Sequence, residues 1–394
     1  VVVNTRDGDD DGGAPRTVQG SLRQFIQNAN AIAGANTMRF VPAVSTNATG
    51  GGGNWWRIDI TSALPDITDV GITVDGTAYD LTDGVSVVDP NPGQVGSGGT
   101  VGVDGLTLDP IDRPELEVNG GNAFAGSGLV VDAGTATISN LAINGCGSGV
   151  LDAQIWVNPT VTAAAGEATI TGNLIGTLAD GSDGGGTQIL GISTNGAATI
   201  SNNYIAYFEN NSVMMSQAFS GSPNIEQVNF INNEVAFPTY NAGFTGDAVS
   251  DIANGAVIRG NYIHDYVGVP PAEALRGKGI EIWYQAQNAL IENNTIENMS
   301  TAGIGINDGS GNNVVRRNII TGTTGTGGNG GAGILITSFN DTAASPPVDN
   351  LLTENSIYGN AGLGIDLDAR GGPVDPAYVG DGVTANDNLD PDSG

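Results

Sequence analysis

The sequence predicts an all-β chain: a single-stranded right-handed parallel β-helix (a solenoid) with an N-terminal amphipathic capping helix. Three observations lead there. First, one phrase recurs: an apolar residue, two small or polar residues, Asn, one residue, then an apolar residue. It reads Ile170-Thr-Gly-Asn173-Leu-Ile175 and returns around Asn203, Asn233, Asn261, Asn294, Asn318 and Asn355, at spacings of 30, 30, 28, 33, 24 and 37 residues. Second, a strand-like phrase alternates with it, as in Gly279-Ile-Glu-Ile-Trp283, Gly303-Ile-Gly-Ile-Asn307, Gly333-Ile-Leu-Ile-Thr337 and Gly362-Leu-Gly-Ile-Asp366. Third, Gly, Asn, Ser and Thr flank both phrases, and these residues end strands and make turns. One such repeat cannot bury its own apolar side chains, but stacked repeats bury them in a continuous core.

In a parallel β-helix each rung lies about 4.8 Å above the last, so equivalent residues form columns. Ile, Val and Leu of the phrase then face inward. The recurrent Asn has two readings, a ladder of stacked amides or a residue that tolerates left-handed turn geometry. Both make it structural. Ile138-Ser-Asn-Leu-Ala-Ile143 is an earlier copy with Leu141 in the Asn slot. A propeller needs four strands per blade, and a leucine-rich repeat needs denser Leu at a shorter period. Neither pattern is present.

In chain order, residues 18–33 form the one clear helix. Ser21-Leu-Arg-Gln24 reads as a capping box, and Leu22, Phe25, Ile26 and Ala29 share a face. The helix would cover the open end of a coil, where core and unpaired edges are otherwise exposed. Residues 1–128 hold this cap and irregular first coils, with strands at Thr37–Val41, Trp56–Ile60, Ile72–Asp75 and Gly105–Leu108. A stretch near 76–127 suits a looped-out subregion. Regular coils fill 129–368, with insertions at 206–222, 237–254, 266–278 and 323–331 projecting from corners. Residues 369–394 lose the period and read as a polar, acidic tail or linker.

The run Val2-Val-Asn-Thr5, Gly20-Ser-Leu-Arg-Gln-Phe-Ile-Gln-Asn-Ala-Asn30 and Ala35-Asn-Thr-Met-Arg-Phe40 resembles the N-terminal signature of secreted or surface bacterial right-handed β-helix repeat proteins. Phe25 stands where that group has a small residue. The final coil Gly362–Asp368, followed by Asn386-Asp387, resembles theirs as well. The resemblance implies the fold and a secreted or cell-surface location. It supplies no catalytic set.

Composition narrows the function classes. The 394 residues carry 12 basic against 42 acidic side chains, for a net charge of −30, and Lys278 is the only lysine. With no basic stripe to displace counterions, nucleic acid is not an expected partner, and neither is an anionic lipid surface. Cys146 stands alone, so no disulfide framework exists. No apolar run reaches membrane-span length. Low lysine with abundant Thr, Asn, Gly and Asp points to an extracellular bacterial protein, and the strand-like opening Val1–Thr5 suits a mature end after processing.

Two kinds of site are candidates. Asp7, Asp9 and Asp11 alternate ahead of Gly12, a spacing that can wrap Ca²⁺, although Val18 stands where an EF-hand has its bidentate Glu. Asn388, Asp390 and Asp392 repeat the spacing at the other end. The densest chemical cluster is His264, Asp265, Arg276, Lys278, Glu281, Trp283 and Tyr284. A polysaccharide lyase would use Lys278 or Arg276 as base, Tyr284 as acid and Trp283 as a sugar platform. A hydrolase would use Glu281 with Asp265 if they stood about 5–9.5 Å apart. Alternatively, Arg276 and Lys278 simply pair with Glu273 and Glu281. Arg316 and Arg317 are expected to pair with Glu292 and Glu354. The expected function is that of an extracellular structural or adhesive protein of the cell surface, with self-assembly into a filament or coat and stabilisation by calcium as further expectations. The alternative is a secreted polysaccharide lyase or glycoside hydrolase working in a groove along the coil.

Overall fold

The computed structural model describes residues 1–8, 19–122, 124–147, 149, 151–157, 166–186, 188–215, 228–239, 246–268, 277–325, 331–337 and 347–368. They fall into two compact units, Val1–Ser97 with Asp109–Tyr207, and Gly98–Leu108 with the chain from Phe208 onward.

Each unit is a coil of rungs, and each full rung contributes one strand to each of three parallel sheets. In the first unit, the first sheet stacks Asn36–Thr37, Ile72–Asp75, Thr135–Ser139, Glu167–Thr171 and Ala198–Ser201. The second stacks Gly53–Asp59, Leu116–Asn119, Leu141–Asn144, Leu174–Ile175 and Tyr204–Ala206. The third holds Leu129–Val131, Ala153–Val157 and Leu190–Thr194. In the second unit the first sheet runs Val228–Ile231, Val257–Arg259, Leu290–Glu292, Val314–Arg316 and Leu351–Thr353. Its second sheet runs Glu234–Ala236, Tyr262–His264, Thr295–Glu297, Ile319–Thr321 and Ser356–Tyr358. Its third runs Asn211–Met215, Val249–Asp251, Ile280–Ile282, Ala302–Asn307, Ala332–Thr337 and Ile365–Asp368.

Register converts the repeated phrases into columns. Ile138, Ile170 and Ile200 stack in one unit, and Ile263, Ile296, Ile320 and Ile357 in the other. All but Ile357 are fully buried, and each buried aliphatic side chain contributes about 1.5–3 kcal/mol. The recurrent Asn is a stacked amide. Asn173 Nδ2 and its backbone N–H both donate to Asn203 Oδ1, at 2.9 and 3.0 Å. In the second unit the same double contact runs from Asn233 to Asn261, Asn294, Asn318 and Asn355. The left-handed conformation belongs instead to the residue before each ladder Asn: Gly172, Asn202, Asn232, Gly260, Asn293, Arg317 and Glu354 have φ between 52° and 69°. That residue turns the chain from the first sheet into the second. Leu141 keeps half of the contact, its N–H donating to Asn173 Oδ1 at 3.1 Å.

The helix spans Leu22–Ala31 with Ser21 as its N-cap, inside the stretch 18–33 expected to hold it. Ser21 Oγ accepts the Gln24 N–H at 3.1 Å, and Gln24 Oε1 accepts the Gly20 N–H at 2.6 Å. This use of the Gln24 amide explains a departure from the expected face: Gln24 is buried, whereas Phe25 is half-buried. Arg23 and Asn30 tie the helix to Ser62, Ala63 and Asp66 of the first unit. Ser21→Ala is expected to destabilise this cap by about 1 kcal/mol, read as faster hydrogen exchange at the Gln24 amide. Unchanged exchange would remove the cap's assigned role.

The strand expected at Gly105–Leu108 does not belong to a first coil. Leu106–Leu108 pairs antiparallel with Gly99–Val101, and this hairpin packs within the second unit. Its tip sends the Gly102 N–H to Thr295 Oγ1 at 2.9 Å, the Asp104 N–H to Asn293 Oδ1 at 3.2 Å and the Val103 N–H to the Arg317 carbonyl at 2.9 Å. A Cβ on Gly102 would sit 2.4 Å from the Asn293 Cα, so only glycine permits the approach. Of the other expected first-coil strands, Ile72–Asp75 pairs with a later rung, as does Leu116–Asn119. Residues 369–394 lie outside the described residues.

Candidate functional site

The chemical side chains of the second unit gather on two different sheets. On the second sheet, His264 faces outward between two carboxylates. Its Nε2 lies 3.0 Å from Glu234 Oε1, one rung earlier, and its Nδ1 lies 2.9 Å from Asp265 Oδ2. Burial disfavours the imidazolium, but the two carboxylate hydrogen bonds outweigh it and raise the histidine above its ordinary value. For Asp265, burial works the other way and is overcome by hydrogen bonds from His264 and Asn298, which hold its carboxyl low. The imidazole stacks on Tyr262 at 4.0 Å between centroids. Tyr262 in turn donates to Glu297 Oε2 at 2.9 Å, and burial together with that bond holds its phenol up.

Entering the third sheet is a second cluster. Lys278, the only lysine, is fully buried. Its Nζ lies 2.7 Å from Glu281 Oε1 and 3.8 Å from Asp247 Oδ1. Asn307 Nδ2 donates to the same Glu281 oxygen at 2.8 Å, and the Lys278 backbone N–H donates to Asp247 Oδ1 at 2.8 Å. Burial and the neighbouring Glu281 carboxylate hold the Asp247 carboxyl well above the usual range. The aliphatic stem of Lys278 lies over Gly305, where a Cβ would stand 2.5 Å from it.

Sequence proximity therefore overstated this constellation. His264 and Asp265 belong to the second sheet, while Lys278 and Glu281 belong to the third. Trp283 and Tyr284 follow the strand Ile280–Ile282, at the end opposite Lys278. Their rings meet edge to face at 6.0 Å; Trp283 is half-buried and Tyr284 is 38% exposed. Arg276 and Glu273 lie outside the described residues. Arg316 and Arg317 pair with Glu292 and Glu354, at 3.0 and 2.5 Å. Arg317 also reaches Asp104 of the hairpin at 3.1 Å, an attraction that offsets its left-handed backbone.

Asp247, Glu234 and Asp251 carry no motif of their own in the sequence. Glu234 occupies the residue after a ladder Asn, as Tyr262 does one rung on, and that shared slot is the signal that could have found it. Asp251 shares a column with Met215, Ile282 and Ile306, so it is an acid in an apolar slot.

At the first acidic stretch, Asp7 is bound to Arg23 at 2.8 and 3.1 Å and accepts the Thr61 N–H at 3.0 Å. Asp9, Asp11, Asn388, Asp390 and Asp392 lie outside the described residues, among which no group of three or more His, Cys, Asp or Glu is placed to hold a metal. Trp55 and Trp56 are packed, donating to Glu117 at 2.5 Å and to the Val44 carbonyl at 2.8 Å. Cys146 is buried, and burial pushes its thiol up to about 12, which leaves it unreactive.

Residues 187–375 match the family described as right handed beta helix region, in keeping with the parallel ladders above: the fold is a right-handed parallel β-helix. Among solved structures, the chain is similar to a point mutant of the periplasmic alginate epimerase AlgG, with 12% identity, a TM-score of 0.45 and coverage of 89% of this chain and 71% of that one. It is also similar to the surface protein and adhesin PfbA of Streptococcus pneumoniae, with 13% identity, a TM-score of 0.28 and coverage of 86% and 84%. No curated protein matches. No described helix is long and apolar enough to cross a membrane.

Proposed function

We propose that this chain is an extracellular structural or adhesive protein whose coils present a surface, and that it is not a polysaccharide-cleaving enzyme. The observation that carries this reading is the internal engagement of Lys278 and His264, two of the groups on which a lyase site was expected to rest. Lys278 is fully buried against Glu281 and Asp247, and the lone histidine is held by two carboxylates with its side chain 7% exposed. A base must come within hydrogen-bond reach of the proton it takes. The candidate acid Tyr284 stands at the far end of the strand from the candidate base.

The same reading includes self-association and a polysaccharide or other surface ligand as partner. The last described rung supports the first of these: Ile365 continues the column of the fully buried Ile304 and Ile334 but is itself 45% exposed, and among the described residues its strand ends its sheet. A further rung would cover both this apolar side chain and the open edge. Calcium dependence belongs to this reading through the acidic stretches beyond Asp7, since Asp7 itself is committed to Arg23.

The test has two arms. Incubation with a panel of uronate polysaccharides, followed by ultraviolet absorbance of unsaturated products and by reducing-end release, is expected to show no turnover. Negative-stain microscopy with and without a calcium chelator is expected to show assemblies that the chelator disperses. Turnover on any uronate polymer would overturn the non-catalytic reading. Discrete single particles under both conditions would overturn the assembly.

A further inference from the structure

The cluster around Lys278 is built for more than an ion pair. Lysine is a poor choice for a buried charge pair, because arginine's planar fork satisfies carboxylates better and is more weakly hydrated. Yet the chain spends its only lysine here, at a fully buried position, with two carboxyl groups and a primary amide around it. We propose that Lys278 and Asp247 form an intramolecular isopeptide bond, with Glu281 moving the protons, so that two successive rungs are covalently joined.

Each requirement of that reaction has a residue. The nucleophile is the ε-amine, which attacks only when neutral, and a desolvated site favours the neutral form. Glu281 Oε1, 2.7 Å from Nζ, is the base that takes its proton. The electrophile is the Asp247 carboxyl carbon, and a protonated carboxyl is far more reactive toward an amine than a carboxylate. Burial and the nearby Glu281 shift Asp247 toward that protonated form. As the amine adds, negative charge develops on Oδ1, where the Lys278 backbone N–H already donates at 2.8 Å, in the manner of an oxyanion hole. Asn307 fixes Glu281 by donating to Oε1 at 2.8 Å. Nζ and Asp247 Oδ1 are 3.8 Å apart, so the amine already neighbours the carboxyl group it attacks.

The step balances. The ammonium gives one proton to the Glu281 carboxylate. Nζ bonds to the Asp247 Cγ, and the Cγ–Oδ2 bond breaks. Glu281 delivers a proton to the departing hydroxyl and recovers one from nitrogen. An amide, one water and a protonated Glu281 result, with no oxidant or other reactant. Exclusion of bulk water at these buried residues favours condensation over hydrolysis. The bond spans 31 residues of sequence and joins the entry of Val249–Asp251 to the entry of Ile280–Ile282, where the ladder already pairs the strands.

Intact-mass spectrometry of the denatured full chain is expected to read about 18 Da below the sequence mass. Peptide mapping is expected to return the segment with Asp247 joined to that with Lys278. Glu281→Gln keeps the shape of the shuttle but cannot carry the proton, and is expected to restore the sequence mass in a chain with an unchanged circular dichroism spectrum. Should that variant fail to fold, Lys278→Arg keeps the charge without the nucleophile and is read the same way. The full sequence mass in the parent chain would overturn the proposal. So would a deficit of about 17 Da mapping to Asn307, which would mean ammonia had left in place of water, or a dehydrated Asp247 in a linear peptide.

Discussion

Asn294→Ala is expected to destabilise its rung by about 3–6 kcal/mol, the sum for several buried groups left unpaired. Asn294 is fully buried. Its Oδ1 accepts from Asn261 Nδ2 at 2.8 Å and from the Asn261 N–H at 3.0 Å. Its Nδ2 donates to Asn318 Oδ1 and to the Ile258 carbonyl, both at 2.9 Å. Alanine removes the acceptor shared by two Asn261 donors and the donor to Ile258 at once, leaving Asn261 Nδ2 only its bond to the Phe230 carbonyl at 2.9 Å. Stability in a stacked-repeat protein is a sum of rung and interface terms, so the loss is best read as hydrogen exchange across Leu290–Glu297. Exchange there should accelerate by two orders of magnitude or more, in line with about 1.4 kcal/mol per factor of ten. A change under tenfold would mean that the ladder is incidental to the stack.

The pH dependence of stability should carry the mark of Asp251. Its carboxyl lies in the column of Met215, Ile282 and Ile306. Burial pushes it from the ordinary 3.8 up to about 7, and the Ala253 N–H hydrogen bond at 2.8 Å only partly opposes this. Its Oδ2 is buried and makes no hydrogen bond. Between those two values the folded protein holds a proton that the unfolded chain has released, so stability falls as pH rises. The contribution is complete below about pH 4, declines through pH 7 and is absent above it. At about 1.4 kcal/mol per pH unit the interval is worth on the order of 4 kcal/mol. Asp251→Asn keeps the shape and cannot ionise. Denaturation of parent and variant at pH 4 and pH 8 should therefore show the variant gaining relative to the parent at the higher pH. Glu115, which burial likewise holds up to about 7, and His264 titrate equally in both chains and cancel in the comparison. Parallel pH profiles would sink the assignment.

The coil was legible because its signal is local and repeated. An inward isoleucine and a corner asparagine recur once per rung, and each occurrence constrains the others. Even so, the turn conformation moved to the preceding residue, where Arg317 and Glu354 give no compositional hint of it. A second amide ladder, in which Asn313 donates to Asn350 Oδ1 at 2.9 Å, shows two members among the described residues, 37 positions apart. It forms no pattern that a reader of the sequence would notice. The chemical cluster was legible only in part. His264, Lys278 and Glu281 stand out as rare or charged residues in a chain of small ones. Their partners Glu234 and Asp247 lie 30 and 31 residues away and become neighbours only through register. The hairpin at 99–108 was misplaced for the opposite reason: its apolar alternation is real, but nothing local shows that its contacts lie with Asn293 and Thr295, some 190 residues on.

The amide column has a sense of direction. In each link of the second unit the earlier asparagine donates and the later one accepts. Each amide oxygen thus takes its protons from the rung before, while the second N–H of the same amide turns back to a backbone carbonyl of an earlier rung, as from Asn294 to Ile258. Such a stack has a north and a south, and any addition along it must respect that polarity. An asparagine at any position of the column must therefore turn its oxygen to the rung before it and an amide proton to the rung after it, so the column cannot be read in reverse.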